Sequence, residues 1–371
     1  MTARAGVESV LGEIDALIAA DEAADRKITG GWKTFDEISA AAHRHAWDAY
    51  GIDLTVDAAS YRRLGRRRRD AIKRIFATIY RAESVVDDWM DRIVAAVPTA
   101  AEVAGGPMGY DAMRTALETQ EHDEKMHRGS LRRVATEVLG IAPDAVDHFA
   151  RKHDNFVAET LFARFNRLMA HHLRPGRSIE DVYTAIFIYG VISEDVVANS
   201  DVVIRRATSN DKYDEYNLPG MKEGQTNVRR DEGRHVRIAV LASHKYLDEY
   251  ESAPEALTGV ATEYMELADD LLRRAKRSRG LIDSHLKQSY GPGVESLYYY
   301  LVNMKRLAVR LGELGLRRAV LDIGERVDRA VSEFTDEQRR PIVDEPGVLL
   351  RAAGPIALKL TRARLRGPAV S

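Results

Sequence analysis

An all-α fold is what this 371-residue sequence predicts, and three observations carry it. Apolar residues recur at spacings of three and four through most of the chain, which gathers them on one face of a helix. Period-two alternation is scarce, and no Asn-Gly or Asp-Gly dipeptide offers a hairpin turn. Only 11 prolines occur, many of them at the edges of the periodic segments, where helices start and stop.

The spacing predicts helices over 6–24, 35–49, 57–97, 110–139, 144–171, 178–206, 218–250, 254–279, 282–313 and 315–332. In the first of these, Glu8, Glu13 and Asp15 interrupt the apolar positions, so the segment is not a secretory leader. The helix over 57–97 carries the stripe Phe76, Ile79, Tyr80, Glu83, Val86, Met90, Ile93, Val97. Pro98, Gly105, Gly106, Pro107 and Gly109 then mark a loop. The helix over 110–139 carries Leu117, Glu121, Glu124, His127, Leu131, Val134, Val138. The next long stripe holds Ile186, Gly190, Glu194 and Val197, and a polar loop follows from Ser209 to Pro219. The helix over 218–250 carries Val228, Ile238 and Ala239 on the face of a second histidine motif. The expected domains are N-terminal helices over 1–56 packing on a core bundle over 57–250, C-terminal helices over 251–340, and a basic tail over 341–371.

Composition narrows the function. Net charge is −2, which gives no global attraction to nucleic acid or anionic membrane. Two basic clusters, Arg62 to Arg69 and Lys359 to Arg366, lack the interleaved aromatics of a strand-binding surface. They read as solvated faces, or as a dock for an acidic partner such as an acyl carrier protein or a lipid headgroup. Cysteine is absent, so disulfides, thiolate ligands, a cysteine nucleophile and iron–sulfur clusters are excluded. No stretch reaches the roughly 18 apolar residues of a membrane span, and a cytoplasmic location is expected.

Two Glu-x-x-His motifs carry the chemistry: Glu124-Lys-Met-His127 and Glu232-Gly-Arg-His235. Residues three apart on a helix share a face, so each motif aims a carboxylate and an imidazole at one point. Both lie on apolar stripes, where a buried carboxylate requires a partner. Glu83 and Glu194 also interrupt apolar stripes, and each precedes a motif by a similar interval: 41 residues from Glu83 to Glu124, 38 from Glu194 to Glu232. Taken singly, each glutamate reads as a surface salt bridge. Taken together, they form the ligand set of carboxylate-bridged dimetal bundles, one Glu from each of two helices and Glu-x-x-His from each of the other two. Oxygen and imidazole ligands without sulfur suit iron or manganese, and the ligands alone do not choose between them. Asp123 and Asp231 precede the motif glutamates and are placed to take the outer ring N–H of the opposite motif's histidine. Glu121 is on the stripe as a rival ligand, His122 is off it, and His171 with His172 compensates a helix C-terminus.

These residues resemble the ribonucleotide reductase small-subunit superfamily, and within it the ligand-binding oxidases. The matching stretch is about 65–245, and its best piece is Leu218-Pro-Gly-Met221 followed by Arg230-Asp-Glu-Gly-Arg-His235. The resemblance implies a ferritin-like four-helix bundle core with additional flanking helices. It implies a mixed Mn/Fe or an Fe/Fe pair, with one metal at Glu83, Glu124 and His127 and a second at Glu194, Glu232 and His235. Tyr189, five residues before Glu194, and Val86, three after Glu83, match the pair that forms an ether cross-link in that family when the reduced metals meet dioxygen. The implied activity is oxidation of an unactivated C–H bond in a long-chain, fatty-acid-like ligand, with an electron donor left unnamed and a homodimer as the expected assembly. Asp195 and Val196 stand where the oxidases have small residues.

The acyl carrier protein desaturases are a rival resemblance through Phe187-Ile-Tyr189 and Glu194. A radical-generating reductase subunit usually has a tyrosine four residues after the first motif histidine, and here that residue is Leu131. Trp89, on the Glu83 helix, is the one tryptophan the sequence puts near a ligand. A metal-storage protein, or a scaffold whose six residues are merely salt-bridged, are the remaining readings.

Overall fold

A computed structural model describes residues 32–98, 110–153, 156–197, 218–277 and 292–333. The expected helix over 6–24 and the basic tail lie outside the described residues. Among those described, every regular element is helical. They are α1 (Phe35–Arg44), α2 (Thr55–Arg63), α3 (Arg66–Ala96), α4 (Tyr110–Arg133), α5 (Val146–His153), α6 (Phe156–His172), α7 (Ile179–Ile186), α8 (Pro219–Glu249), α9 (Ala253–Arg277), α10 (Pro292–Glu313) and α11 (Arg317–Ser332). Two π-helical segments extend α4 and α7, Val134–Val138 and Phe187–Val197.

The chain divides into two compact units, one spanning Trp32–Tyr250 and the other including the helices after Glu251. In the first, α3 packs on α4, α4 on α8, α8 on α7 with its π extension, and α7 on α3, which closes a four-helix ring. Helix α1 lies on α4 and α8, α5 lies on α3, and α6 bridges α3 and α7. In the second unit α9, α10 and α11 pack mutually around Leu297, Leu301, Met304, Leu307, Leu311, Ile323 and Val327. Asp269 ties these three helices, accepting from Tyr300 Oη and Arg326 NH1, each at 2.6 Å.

Three expected helices break, each for a local reason. The stretch 57–97 divides because Leu64 and Gly65 are extended, with ψ of 142° and 153°, and the buried Leu64 turns into the core. The helix over 35–49 stops at Arg44. The following carbonyls are taken up by arginines from other helices, His45 O by Arg230 and Ala49 O and Ile52 O by Arg133, at 2.7–2.9 Å. Such a loop costs little because its carbonyl acceptors are met. In 144–171 a 3₁₀ turn at Pro143–Ala145 precedes α5, and α6 starts at Phe156.

Helix α8 shows how the Leu-Pro-Gly-Met piece works. Pro219 occupies the first turn, where its missing N–H is no loss. Leu218 provides no side-chain cap, and the fully buried Asp57 of α2 does the capping, accepting from Gly220 N at 2.9 Å and Met221 N at 2.8 Å. Gly220 is required by this approach, since a Cβ there would sit 2.5 Å from Asp53 O and 2.8 Å from Leu54 Cδ2. Helix α7 is started locally, by a capping box between Ser178 and Asp181.

Candidate metal centre

The four ring helices bring the six motif residues to one place. Helix α3 carries Glu83, α4 carries Glu124 and His127, the π segment carries Glu194, and α8 carries Glu232 and His235. Ligand-type atoms of Glu83, Glu124 and His127 lie within 4.8 Å of one another, and so do those of Glu124, Glu194, Glu232 and His235. Glu124 belongs to both sets.

The two histidines present Nδ1 inward. His127 Nδ1 is 3.3 Å from Glu124 Oε2, 3.5 Å from Glu232 Oε1 and 3.6 Å from Glu83 Oε2. His235 Nδ1 is 3.0 Å from Glu124 Oε1 and 3.3 Å from Glu232 Oε2. Both motif glutamates thus straddle the two imidazoles, while Glu83 and Glu194 stand at opposite ends. Glu124 Oε2, Glu232 Oε2 and the Nδ1 atoms of His127 and His235 are buried without a hydrogen-bond partner. Leaving a buried polar group unmet costs about 1–3 kcal/mol, more when it is charged. A pair of cations would satisfy all four atoms, so the residues present fit two metal ions.

The outer ring nitrogens cross over. His127 Nε2 lies 3.1 Å from Asp231 Oδ2 on α8, and His235 Nε2 lies 3.3 Å from Asp123 Oδ2 on α4. Each aspartate therefore holds the histidine of the other motif and directs its Nδ1 inward. Asp231 also accepts from Trp47 Nε1 at 2.6 Å, and the Trp47 ring stacks near His127 at 6.3 Å between centroids. Trp89 is elsewhere engaged, donating to Asn166 at 2.7 Å and packing edge-on against Phe165. The tryptophan that meets the cluster is thus Trp47. Its partner is 184 residues away in sequence, and it falls inside the expected helix over 35–49. Arg234, within the second motif, was equally silent. It is buried, and its NH2 donates to Asp231 Oδ1 at 2.7 Å and Asp123 Oδ2 at 2.9 Å. The available signal was a cation on an apolar stripe directly before the motif histidine.

Tyr189 is buried and donates to Glu124 Oε1 at 2.6 Å. Val86 is buried one turn along α3 from Glu83. Gly190 lets this segment meet α8, because a Cβ there would run into the Ala239 Cβ and lie 3.4 Å from His235 O. The rival ligands are occupied or turned away. Glu121 pairs with Lys125, His122 is exposed, and His172 faces Asp181 at 3.1 Å.

Burial and mutual charge govern protonation of the metal-free cluster. Burial pushes Glu83 up to about 7, against the pull of His127. Burial and the charge of Glu232 push Glu194 well above the usual carboxylate range. Burial also opposes ionisation of Glu124, but His235 and His127 outweigh it and hold this carboxyl below its ordinary value. Burial would depress both histidines. Asp231 and Glu124 around His127, and Glu124 and Asp123 around His235, raise them well above the usual imidazole value instead. Burial, with Glu124, Glu194 and Glu232 nearby, keeps the Tyr189 phenol protonated far above its usual range.

No family model matches the chain, and no curated protein does. Solved structures do. An R2-like ligand-binding oxidase with aerobically reconstituted Mn/Fe cofactor is similar at 19% identity and a TM-score of 0.58, over 75% of this chain and 92% of that one. An R2-like ligand-binding oxidase with aerobically reconstituted metal cofactor after photoconversion gives the same figures. A point variant with anaerobically reconstituted Mn/Fe cofactor has 18% identity and a TM-score of 0.59, over 75% and 92%. The chain therefore shares the ferritin-like helical fold of the R2-like ligand-binding oxidases.

Proposed function

We propose that this protein is a dimetal-carboxylate oxidase that uses dioxygen to oxidise an unactivated C–H bond of an apolar, fatty-acid-like ligand. The carrying observation is the set of orphaned, inward-facing atoms on Glu124, His127, Glu232 and His235, flanked by Glu83 and Glu194. A manganese–iron or di-iron pair held there would supply the electrons for dioxygen reduction. In this reading Glu83, Glu124 and His127 would hold one ion, and Glu194, Glu232 and His235 the other. Asp123 and Asp231 fix the histidine tautomers. The surrounding apolar side chains exclude water, which strengthens every charge interaction inside.

Tyr189 is the proton-bearing neighbour of Glu124 in this scheme. Its resemblance-implied partner is Val86. The Val86 Cβ–H and Tyr189 O–H bonds break, one C–O bond forms, and two electrons and two protons pass to dioxygen. Peptide mass analysis after aerobic metal loading checks it: the Val86 and Tyr189 peptides should travel as one species lacking two hydrogens.

A second reading, a radical-generating subunit, is favoured by one observation, the hydrogen-bonded line from the half-buried Trp47 through Asp231 to His127. Trp47→Phe distinguishes the two. A radical subunit would lose activity with a large partner, whereas a self-contained oxidase would retain ligand oxidation.

Elemental analysis of protein expressed with iron and manganese tests the common core of both readings. Close to two equivalents of metal, lost in Glu124→Ala/Glu232→Ala, is the expected result. Metal well below one equivalent, unchanged in that variant, would leave a salt-bridged helical scaffold.

A further inference from the structure

Arg234 is an uncommon object, a guanidinium 1% exposed in the middle of a helical bundle. A buried charge is costly unless paired and hydrogen-bonded. Its pairing is unusual in form. A single nitrogen, NH2, serves both aspartates, while Nε and NH1 have no partner among the described residues. A line of buried contacts therefore runs without interruption from His127 Nε2 to Asp231, Arg234 NH2, Asp123 and His235 Nε2. The first motif has Met126 at the corresponding position, so one cation serves both halves of the centre.

The two ends of this line differ. Asp231 receives three donors, Trp47, Arg234 and the His127 ring. Asp123 has Arg234 at 2.9 Å and His235 at the longer 3.3 Å. Of the two, Asp123 depends more heavily on Arg234.

We infer that Arg234 is a positioning residue that couples the two metal positions: it holds Asp123 and Asp231 with one nitrogen and so fixes His127 and His235 together. The inference rests on the dimetal reading above. Without the guanidinium, these two buried carboxylates would lose the one cation they share. Like charges would drive them apart, and each would carry its histidine with it.

Cobalt(II) titration of the metal-free protein, followed by visible absorption and calorimetry, tests this without any turnover assay. The unsubstituted protein should bind two equivalents. Asp123→Asn should weaken mainly one binding step and Asp231→Asn mainly the other, because each reaches one histidine. Arg234→Gln should weaken both steps, by roughly 10–100-fold, the usual effect of removing a group that orients a ligand. It should also alter the ligand-field bands of both ions. Arg234→Lys keeps the charge but not the fork, and should recover part of the loss. Should Arg234→Gln fail to fold, the Lys variant carries the test, with bands shifted at both positions. Two intact binding steps with unshifted bands in Arg234→Gln, or only one step affected, would overturn the coupling. Failure of the unsubstituted protein to bind two equivalents would instead overturn the dimetal reading.

Discussion

The Tyr189 hydroxyl is bound to Glu124 Oε1 at 2.6 Å, and the same oxygen lies 3.0 Å from His235 Nδ1. The phenol of one helix thus touches the carboxylate that reaches both halves of the centre. Tyr189→Phe removes this donor from a buried charged acceptor, which should cost about 1.5–3 kcal/mol in chemical denaturation of the metal-free protein. Metal content should remain near two equivalents, and the Val86 cross-link should be absent by peptide mass. Loss of both metals in this variant would show that Tyr189 is needed to build the site.

Gly190 is fitted against α8. Gly190→Ala would press its methyl on Ala239, and overpacking of this kind costs about 1–3 kcal/mol. Because Tyr189 and Glu194 flank Gly190 on the same segment, metal affinity should fall along with melting temperature. The double variant Gly190→Ala/Ala239→Gly restores the space and should recover most of the affinity, as a double-mutant cycle would reveal.

Asp57→Ala leaves two buried N–H groups of α8 without an acceptor. The expected destabilisation is about 1–2 kcal/mol, the range for losing a helix cap. Asp57 stands on α2, and its two oxygens accept from the first turn of α8, so metal stoichiometry should hold while the urea midpoint drops.

Metal loading should release protons. In the metal-free state His127 and His235 are held protonated, Glu194 is held neutral, and Glu83 is poised at about 7. Ligands bind metal in their deprotonated forms. Below pH 7 Glu83 adds its proton to those displaced, so apparent affinity should weaken as pH falls through 7. The sign for folding is the reverse. An acid raised from 4.5 to about 7 makes the metal-free fold less stable as pH rises through that window, because the unfolded chain ionises first. Calorimetry in buffers of different ionisation enthalpy counts the protons. No buffer dependence would contradict this protonation pattern.

The helical architecture was legible because long apolar stripes at spacings of three and four leave few alternatives, as in Phe76 to Val97. The six ligand candidates were legible because Glu-x-x-His is a local pattern and Glu83 and Glu194 each break an apolar stripe. What escaped reading depends on contacts far apart in sequence. Trp47 meets Asp231 across 184 residues, and no local periodicity encodes that. The end of α1 was hidden for a similar reason, since Arg133 and Arg230 from other helices satisfy the loop after it. Nor does composition reveal that Phe187–Val197 winds as a π-helix, because its residues are ordinary helix and core formers.

That π segment has a consequence for how the molecule breathes. Wider i→i+5 turns are a rare and less favourable winding, seen mostly as single turns at functional sites. Here they run through Tyr189 and Glu194. Side chains clamped by ions would hold this segment from one end, and the packing of Gly190 on Ala239 from its middle. Emptied of ions, the backbone amides around Glu194 should be the first in the bundle to trade hydrogen for deuterium. Filled, they should be among the slowest. The isotope-exchange rate of one short stretch would thus report the occupancy of the whole centre.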